Sequence, residues 1–176
     1  MIERQKYLDS KFNVKGFIKI KRDKYRNLIA MMTELGEVSQ SAKKFWCYWK
    51  VKCEFNKLDF LEELSDYLHF LLTHIYTTIE IKDEDLSLFN SQINKELENF
   101  TEIRRKEQTF DNALLYLNLP ITYELAGFDI DIKDIYTLFI AITALIVDSG
   151  SNWKEFLEIH HNKFLKNLNE RIKESY

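Results

Sequence analysis

The chain has 176 residues, of which 45% are hydrophobic and 30% are charged, a balance typical of a globular protein that can bury a sizeable core. A net charge of −3 gives the molecule no general attraction to nucleic acid or to an acidic membrane surface. One Pro and four Gly are too few for the hairpin turns of an antiparallel sheet, so the composition predicts an all-α helical bundle.

The first half of the chain predicts three helices. The first covers 2–12, and the second begins near Asp23 and carries apolar residues three or four positions apart over at least five turns. An aromatic stretch over 45–55 contains the turn to a third helix over 58–79. Apolar residues cover most of the circumference of this third helix, which predicts that it is largely buried.

The second half predicts further helices, separated by polar or turn-forming residues. Asp131 or Asp134 is the expected cap of a nearly all-apolar helix, and Pro120 is expected to stop the helix before it. No linker or internal repeat interrupts the pattern, so we expect one domain over 1–176. The predicted helices of this half cover 85–106, 111–119, 135–147 and 153–173.

The sequence contains no sign of a membrane or of an oxidising compartment. The start of the chain is charged and lacks the apolar stretch of a signal peptide, and no run of about 18 uncharged apolar residues occurs. Cys47 and Cys53 fit no zinc-binding pattern and are expected to be reduced thiols. We therefore expect a cytoplasmic protein.

Two pairs of acidic residues lie on the second and third predicted helices. Glu34 and Glu37 are three positions apart, as are Glu63 and Asp66, so each pair shares one helix face. Two adjacent helices with such pairs can offer the oxygen ligands that Mg²⁺ prefers. Acidic pairs at this spacing are more often solvated surface, but carboxylates on a largely buried helix need cations or metal beside them.

His69 lies one turn after Asp66 on the same predicted helix. A buried histidine beside an acid is more often a hydrogen-bond partner than a metal ligand. We interpret His69 as a residue that orients the site or contacts substrate, with plain core packing as the alternative.

The acidic pairs resemble the ExxE…ExxD signature of the all-α nucleoside triphosphate pyrophosphohydrolases, a superfamily that includes MazG-like enzymes and the dimeric dUTPases. The flanking segments are similar to the dimeric dUTPases: RQKYLDSKF from Arg4, KKFWCYWK over 43–50, and EELSDYLHFLL over 62–72. These blocks cover about the first 75 residues, whereas residues 80–150 align with nothing in the family.

The resemblance implies a homodimeric enzyme that hydrolyses dUTP to dUMP and pyrophosphate. It implies that Glu34, Glu37, Glu63 and Asp66 bind Mg²⁺ and carry the catalysis, with Glu34 as the candidate general base. Divalent ions would also let an acidic cleft accept a triphosphate, which four carboxylates alone would repel.

Further residues are implied as substrate contacts by the same resemblance. Gln5 matches a glutamine that contacts the uracil, with a surface position as the alternative, and Trp46 matches an aromatic residue of the base pocket, with a core or interface tryptophan as the alternative. Lys50 belongs to the aromatic and basic block, although lysines there are more often solvated.

The last predicted helix matches the family's phosphate-binding pattern only in part. Lys163 and Asn167 fit at four positions apart, but Glu170 stands at the expected arginine position and Arg171 follows one residue later. Lys163, Asn167 and Arg171 are therefore the candidate phosphate contacts.

Two other functions remain open from the sequence. A MazG-like or dCTPase-like enzyme would use the same acidic pairs for another nucleobase. A non-catalytic helical interaction module would use the basic stretch 15–26 to contact nucleic acid or a regulator, although no nucleic-acid partner is expected from the charge balance.

Overall fold

In the computed structural model, which describes residues 1–14, 23–78 and 110–171, every regular element is helical. The all-α prediction is therefore confirmed for these ranges. The α-helices are α1 (Ile2–Val14), α2 (Lys24–Ser41), α3 (Lys43–Trp46), α4 (Lys57–Thr78), α5 (Phe110–Tyr116), α6 (Leu119–Ala126), α7 (Ile132–Asp148) and α8 (Trp153–Lys166). A π-helical turn over Asn167–Arg171 continues α8.

Helix α4 is the centre of the described fold, and α2 packs against it more extensively than any other helix. Asn27 near the start of α2 donates a hydrogen bond to the carbonyl oxygen of Phe70 near the end of α4, so the two helices run antiparallel. Helices α1, α7 and α8 also pack on α4. Its buried side chains, among them Phe60, Leu64 and Leu68, confirm the prediction of a largely buried third helix.

The capping residues explain where two of the helices begin. The Asp23 carboxylate accepts the backbone N–H of Arg26 at the start of α2. Asp131 and Asp134 form a reciprocal capping box at the start of α7, so this helix begins three residues earlier than its apolar run predicted. Gly127 precedes it with a positive φ of 76°, which ends α6 in a left-handed cap.

Two sequence predictions about the helices were wrong in detail. Pro120 does not stop a helix; it lies in the first turn of α6, where its missing N–H would have had no intrahelical partner. The last α-helix ends at Lys166, earlier than predicted, and changes to π-helical geometry over the next five residues.

The predicted helix over 85–106 lies outside the described residues, as does most of the basic stretch 15–26. None of the helices in the described ranges combines the length and apolar character that a membrane-spanning segment needs.

Candidate active site

Three glutamates from two helices form an acidic cluster on one side of α4. Carboxylate oxygens of Glu34 and Glu37 on α2 and of Glu63 on α4 all lie within 4.8 Å of one another. The spacing of three residues places Glu34 and Glu37 on one face of α2, and antiparallel packing brings that face to Glu63. The α2–α4 contact thus brings together three of the four acidic residues that the sequence paired, and Asp66 is not part of this group.

Within the acidic cluster, the pKa of Glu63 is raised. Partial burial, together with the hydrogen bond and the charge of Glu37, raises the pKa of Glu63 from its ordinary value of 4.5 to about 7. A hydrogen bond between two carboxyl groups needs a proton on one of them, so Glu63 holds its proton more tightly than an ordinary glutamate does.

Asp66 lies one turn after Glu63 and is held by a lysine rather than by the acidic cluster. Its Oδ2 accepts a hydrogen bond of 2.6 Å from Nζ of Lys163 on α8, and Glu62 lies 3.7 Å from the same Nζ. Burial alone would lower the pKa of Lys163, but the hydrogen bond and charge of Asp66 outweigh it and raise this pKa. Lys163 is therefore a firmly protonated cation beside the acids.

The donor set of the cluster fits a divalent cation of the magnesium type. Carboxylate oxygens are the ligands that Mg²⁺ prefers, and three of them from separate side chains converge within the reach of one ion or two adjacent ions. A divalent cation bound there would also displace the proton that the raised pKa of Glu63 favours.

A cavity of about 340 Å³ adjoins the cluster and combines acidic, polar and aromatic surfaces. Glu34, Glu37 and Asp66 contribute carboxylates to its lining, and Phe12 and Phe70 contribute aromatic rings. Glu63 and Phe70 are seven residues apart on α4, which corresponds to about 10 Å along the helix axis. The cavity therefore extends along α4 from the acids toward Phe12 and Phe70.

Gln5, Asp9 and His69 contribute the polar groups of the cavity that lie on α1 and on the same part of α4 as Phe70. Gln5 on α1 and His69 on α4 both line the cavity, and His69 Nδ1 lies 2.6 Å from Gln5 Oε1. Asp9, one turn after Gln5, also lines the cavity and accepts a hydrogen bond of 3.0 Å from Gln5 Nε2. These three side chains are buried in the α1–α4 contact.

His160 on α8 fixes the ring of His69 from the other side. The two imidazoles stack with centroids 4.2 Å apart, and His160 Nδ1 lies 2.9 Å from Oγ of the buried Ser65. Burial, with the charge of His69 next, lowers the pKa of His160 to about 3. His160 is therefore neutral at physiological pH and cannot repel a cation in the cavity.

The remaining candidate residues from the sequence are placed in different surroundings. Asn167 in the π-helical turn lines the cavity. Trp46 donates its indole N–H to the backbone oxygen of Ser39 and packs against the core, and Lys50 is exposed in the loop after α3; neither contributes to the cavity lining. The side chain of Arg171 lies outside the described residues.

Sequence reasoning missed Asp9 and the lining role of Phe12. Gln5 and Asp9 are four positions apart on α1, which places both on one helix face, so the spacing carried a usable signal. An isolated acid beside one glutamine is common on exposed helix faces, and nothing in the sequence marked this face as buried.

A family model described as dUTPase matches residues 1–176, the whole chain. No curated protein matches the chain.

Proposed function

The chain belongs to the all-α dUTPase family, a family of nucleotide hydrolases, and from this premise we propose that it is a Mg²⁺-dependent dUTP diphosphatase. It hydrolyses dUTP to dUMP and pyrophosphate. The observation that carries the proposal is the convergence of Glu34, Glu37 and Glu63 within 4.8 Å, beside a cavity that also offers aromatic rings and an amide.

Glu34, Glu37 and Glu63 are the residues that would hold the metal, and Asp66 would join them once Lys163 releases it. Bound divalent cations supply neutralisation of the triphosphate and a lowered pKa for a coordinated water. Asp66 already lines the same cavity. To bind metal, its carboxylate would therefore exchange the hydrogen bond from Lys163 for the ion, without moving to another part of the structure.

Glu34 is our candidate for the residue that orients the attacking water. It lies on α2, lines the cavity and is only half-buried, so water can reach its carboxylate. A carboxylate in this position accepts a proton from water as the oxygen attacks phosphorus.

Lys163 and Asn167 are our candidates for binding the phosphate chain. The Nζ of Lys163 is 2.6 Å from Asp66, and Asn167 lines the same cavity one helical turn further along the chain. A protonated lysine that exchanges a carboxylate for a phosphate oxygen keeps its charge paired throughout. Arg171, one turn after Asn167, is a third candidate for this role.

The nucleobase is assigned to the part of the cavity that Phe12, Phe70, Gln5 and His69 line. Aromatic rings offer faces for a planar base, and the Gln5 amide offers both a donor and an acceptor for its hydrogen-bonding edge. Trp46 and Lys50 lie outside this lining, so their assignment to substrate binding stays a prediction on which the mechanism does not depend.

We also propose that the active protein is a homodimer and that the whole chain acts as one domain. The outward face of α2 supports the dimer, because Tyr25, Ile29 and Met32 occupy it at helical spacing and are 65%, 63% and 53% exposed. Apolar side chains in such a stripe favour contact with another protein surface.

A nucleotide panel with product analysis tests the function. The protein is incubated with Mg²⁺ and, separately, dUTP, dCTP, dTTP and the ribonucleotides, and ³¹P NMR identifies the products. We expect pyrophosphate and dUMP from dUTP, at a kcat/KM well above that for the other nucleotides, and no turnover with a chelator present. Equal turnover of dUTP and dTTP would contradict the dUTP assignment, and a better rate with dCTP would instead favour a dCTPase-like enzyme.

Acid-to-amide variants test the assignment of the site. Glu63→Gln and Asp66→Asn should lose about a hundredfold or more in kcat, because each removes a charge that holds metal. Glu54→Gln is the matched control, since Glu54 is an exposed glutamate in the loop before the same helix and lies outside the cluster. Near wild-type turnover in either site variant would show that these carboxylates do not bind the catalytic metal.

A further inference from the structure

Asp9 is a buried carboxylate that the sequence did not single out and that the catalytic acids do not include. It is only 4% exposed, and its two oxygens accept hydrogen bonds from three side chains. Oδ1 accepts from Gln5 Nε2 at 3.0 Å, while Oδ2 accepts from Thr73 Oγ1 at 2.9 Å and from the Tyr76 hydroxyl at 2.5 Å. These contacts tie α1 to the last turns of α4.

The bond to Asp9 determines which way the Gln5 amide points. A carboxylate only accepts hydrogen bonds, so the NH₂ end of the amide must face Asp9. The carbonyl end then faces His69, whose Nδ1 lies 2.6 Å from Gln5 Oε1 and must carry the proton that it donates. The hydrogen bonds therefore run in one direction, from His69 through Gln5 to Asp9.

An amide held in this way keeps one donor and one acceptor for a ligand. Gln5 Nε2 has a second N–H beyond the bond to Asp9, and Oε1 has a second lone pair beyond the bond to His69. Because Gln5 lines the cavity, these two groups offer a fixed pattern of donor and acceptor to a base bound there.

Uracil and cytosine present opposite patterns to such an amide. Uracil has an acceptor at O4 next to a donor at N3, whereas cytosine has a donor at N4 next to an acceptor at N3. A glutamine that can rotate its amide by 180° pairs with either base, but a glutamine held in one orientation pairs with only one of them at a given ring position. In the proposed function, a phosphate chain bound at the acidic cluster would fix that ring position.

We propose that Asp9 is a specificity-determining positioning residue, which holds the Gln5 amide in the orientation that pairs with uracil and not with cytosine. This inference rests on the proposed dUTP hydrolysis in the same cavity. Asp9 acts through Gln5, and its contribution is to the choice of base rather than to the hydrolytic step.

The substitution Asp9→Asn tests the proposal while preserving the shape of the side chain. An asparagine amide can accept from Gln5 or donate to it, so both orientations of Gln5 become possible. The ratio of kcat/KM for dUTP to that for dCTP should fall about tenfold or more, mainly through a gain in dCTP turnover. A purely structural role of Asp9 would lower both rates together and leave the ratio unchanged.

Thr73→Val is the matched control for this variant. It removes a hydrogen bond to the other carboxylate oxygen of Asp9 and keeps the side-chain volume, but it leaves the contact between Asp9 and Gln5 in place. We expect it to lower the melting temperature while the dUTP to dCTP ratio stays within about threefold of the wild type.

A second measurement needs no variant, so it stands even if the Asp9→Asn protein fails to fold. The ¹⁵N shifts of the His69 ring in the wild-type protein report which nitrogen is protonated, and the proposal requires the Nδ1–H tautomer. An Nε2–H tautomer would make Nδ1 an acceptor, would turn the Gln5 NH₂ toward His69, and would overturn the inference.

The measured dUTP to dCTP ratios distinguish a failure of the role of Asp9 from a failure of the proposed function. A wild-type protein that fails to prefer dUTP over dCTP would overturn both. A wild-type protein that prefers dUTP, together with a folded Asp9→Asn protein of unchanged ratio, would overturn the role of Asp9 alone.

Discussion

At the scale of single residues, the candidate site is a balance between acids that repel one another and the cations that offset them. Burial and the neighbouring Glu37 raise the pKa of Glu63, while Asp66 is paired with Lys163 at 2.6 Å. Like charges at such distances favour folding only when protons, lysines or metal ions compensate them. The stability of the protein should therefore depend on whether the cluster is protonated or holds metal.

The raised pKa of Glu63 predicts a loss of stability with rising pH in the absence of metal. Folding raises this pKa from 4.5 to about 7, so the folded state holds the proton more tightly than the unfolded state does. The stabilisation is complete below about pH 4.5 and is lost as pH rises through about 7. Melting temperatures measured in chelator from pH 5 to 8 should show this loss.

Glu63→Gln should remove that pH dependence and raise the melting temperature at pH 8 by a few degrees, because it relieves repulsion within the metal-free cluster. Mg²⁺ should stabilise the wild type at pH 8 and have little effect on the variant. Glu54→Gln serves again as the control and should melt as the wild type does. If the melting temperatures of the wild type and of Glu63→Gln changed with pH in parallel from pH 5 to 8, the raised pKa of Glu63 would be contradicted.

At the scale of helices, the site depends on where α2 and α4 meet and on how the other helices hold α4. The sequence predicted these two helices because their apolar residues recur at helical spacing, and it placed Glu34, Glu37, Glu63 and Asp66 on them. The sequence could not predict the ion pair between Lys163 and Asp66, because these residues are 97 positions apart. Pairings of this kind depend on tertiary packing, which periodicity does not encode.

Local signals were ambiguous where one residue type has two structural roles. Pro120 can end one helix or begin the next, and the spacing of apolar residues around it fits both. Asp131 and Asp134 were both possible caps, and the structure uses both of them in one capping box. Asp9 was missed because the burial of its helix face follows from the contact of α1 with α4.

The capping box at the start of α7 predicts a measurable contribution to stability. Asp131→Ala removes the hydrogen bonds to the backbone N–H groups of Lys133 and Asp134, which should cost about 1 kcal/mol in the free energy of unfolding. Because α7 carries much of the core, the loss should appear as cooperative destabilisation of the whole protein under urea.

Asp129→Ala is the matched control for Asp131→Ala, because Asp129 is an exposed aspartate two residues earlier that caps no helix. It should change the free energy of unfolding by less than about 0.5 kcal/mol. Equal effects of the two substitutions would show that net charge, rather than the cap, is responsible.

At the scale of the whole molecule, the described helices surround α4, and α2 leaves an apolar stripe on the outside. Helix α2 uses its inner face for the core and for Glu34 and Glu37, while Tyr25, Ile29 and Met32 face outward. A dimer through this stripe would bury the outer face of α2. The inner face of the same helix carries Glu34 and Glu37. Helix α2 would then contribute both to the dimer interface and to the candidate active site.

Sedimentation equilibrium tests the dimer. We expect a mass near twice the 21.2 kDa of the chain, and we expect Ile29→Glu to shift the equilibrium toward the monomer by placing a charge in the stripe. Val51→Glu is the control, since Val51 is fully exposed in a loop outside the stripe. A wild-type protein that stays monomeric at high micromolar concentration would rule out the proposed dimer.

In the proposed function, the acids of α2 and α4 hold divalent ions against the phosphates of dUTP. The most direct test is a crystal structure with Mn²⁺ and a non-hydrolysable dUTP analogue, in which anomalous scattering locates the metal. We predict anomalous peaks among the carboxylates of Glu34, Glu37 and Glu63, phosphate oxygens on the same ions, and the uracil edge against Gln5. Peaks elsewhere, or an analogue bound away from this cluster, would contradict the account.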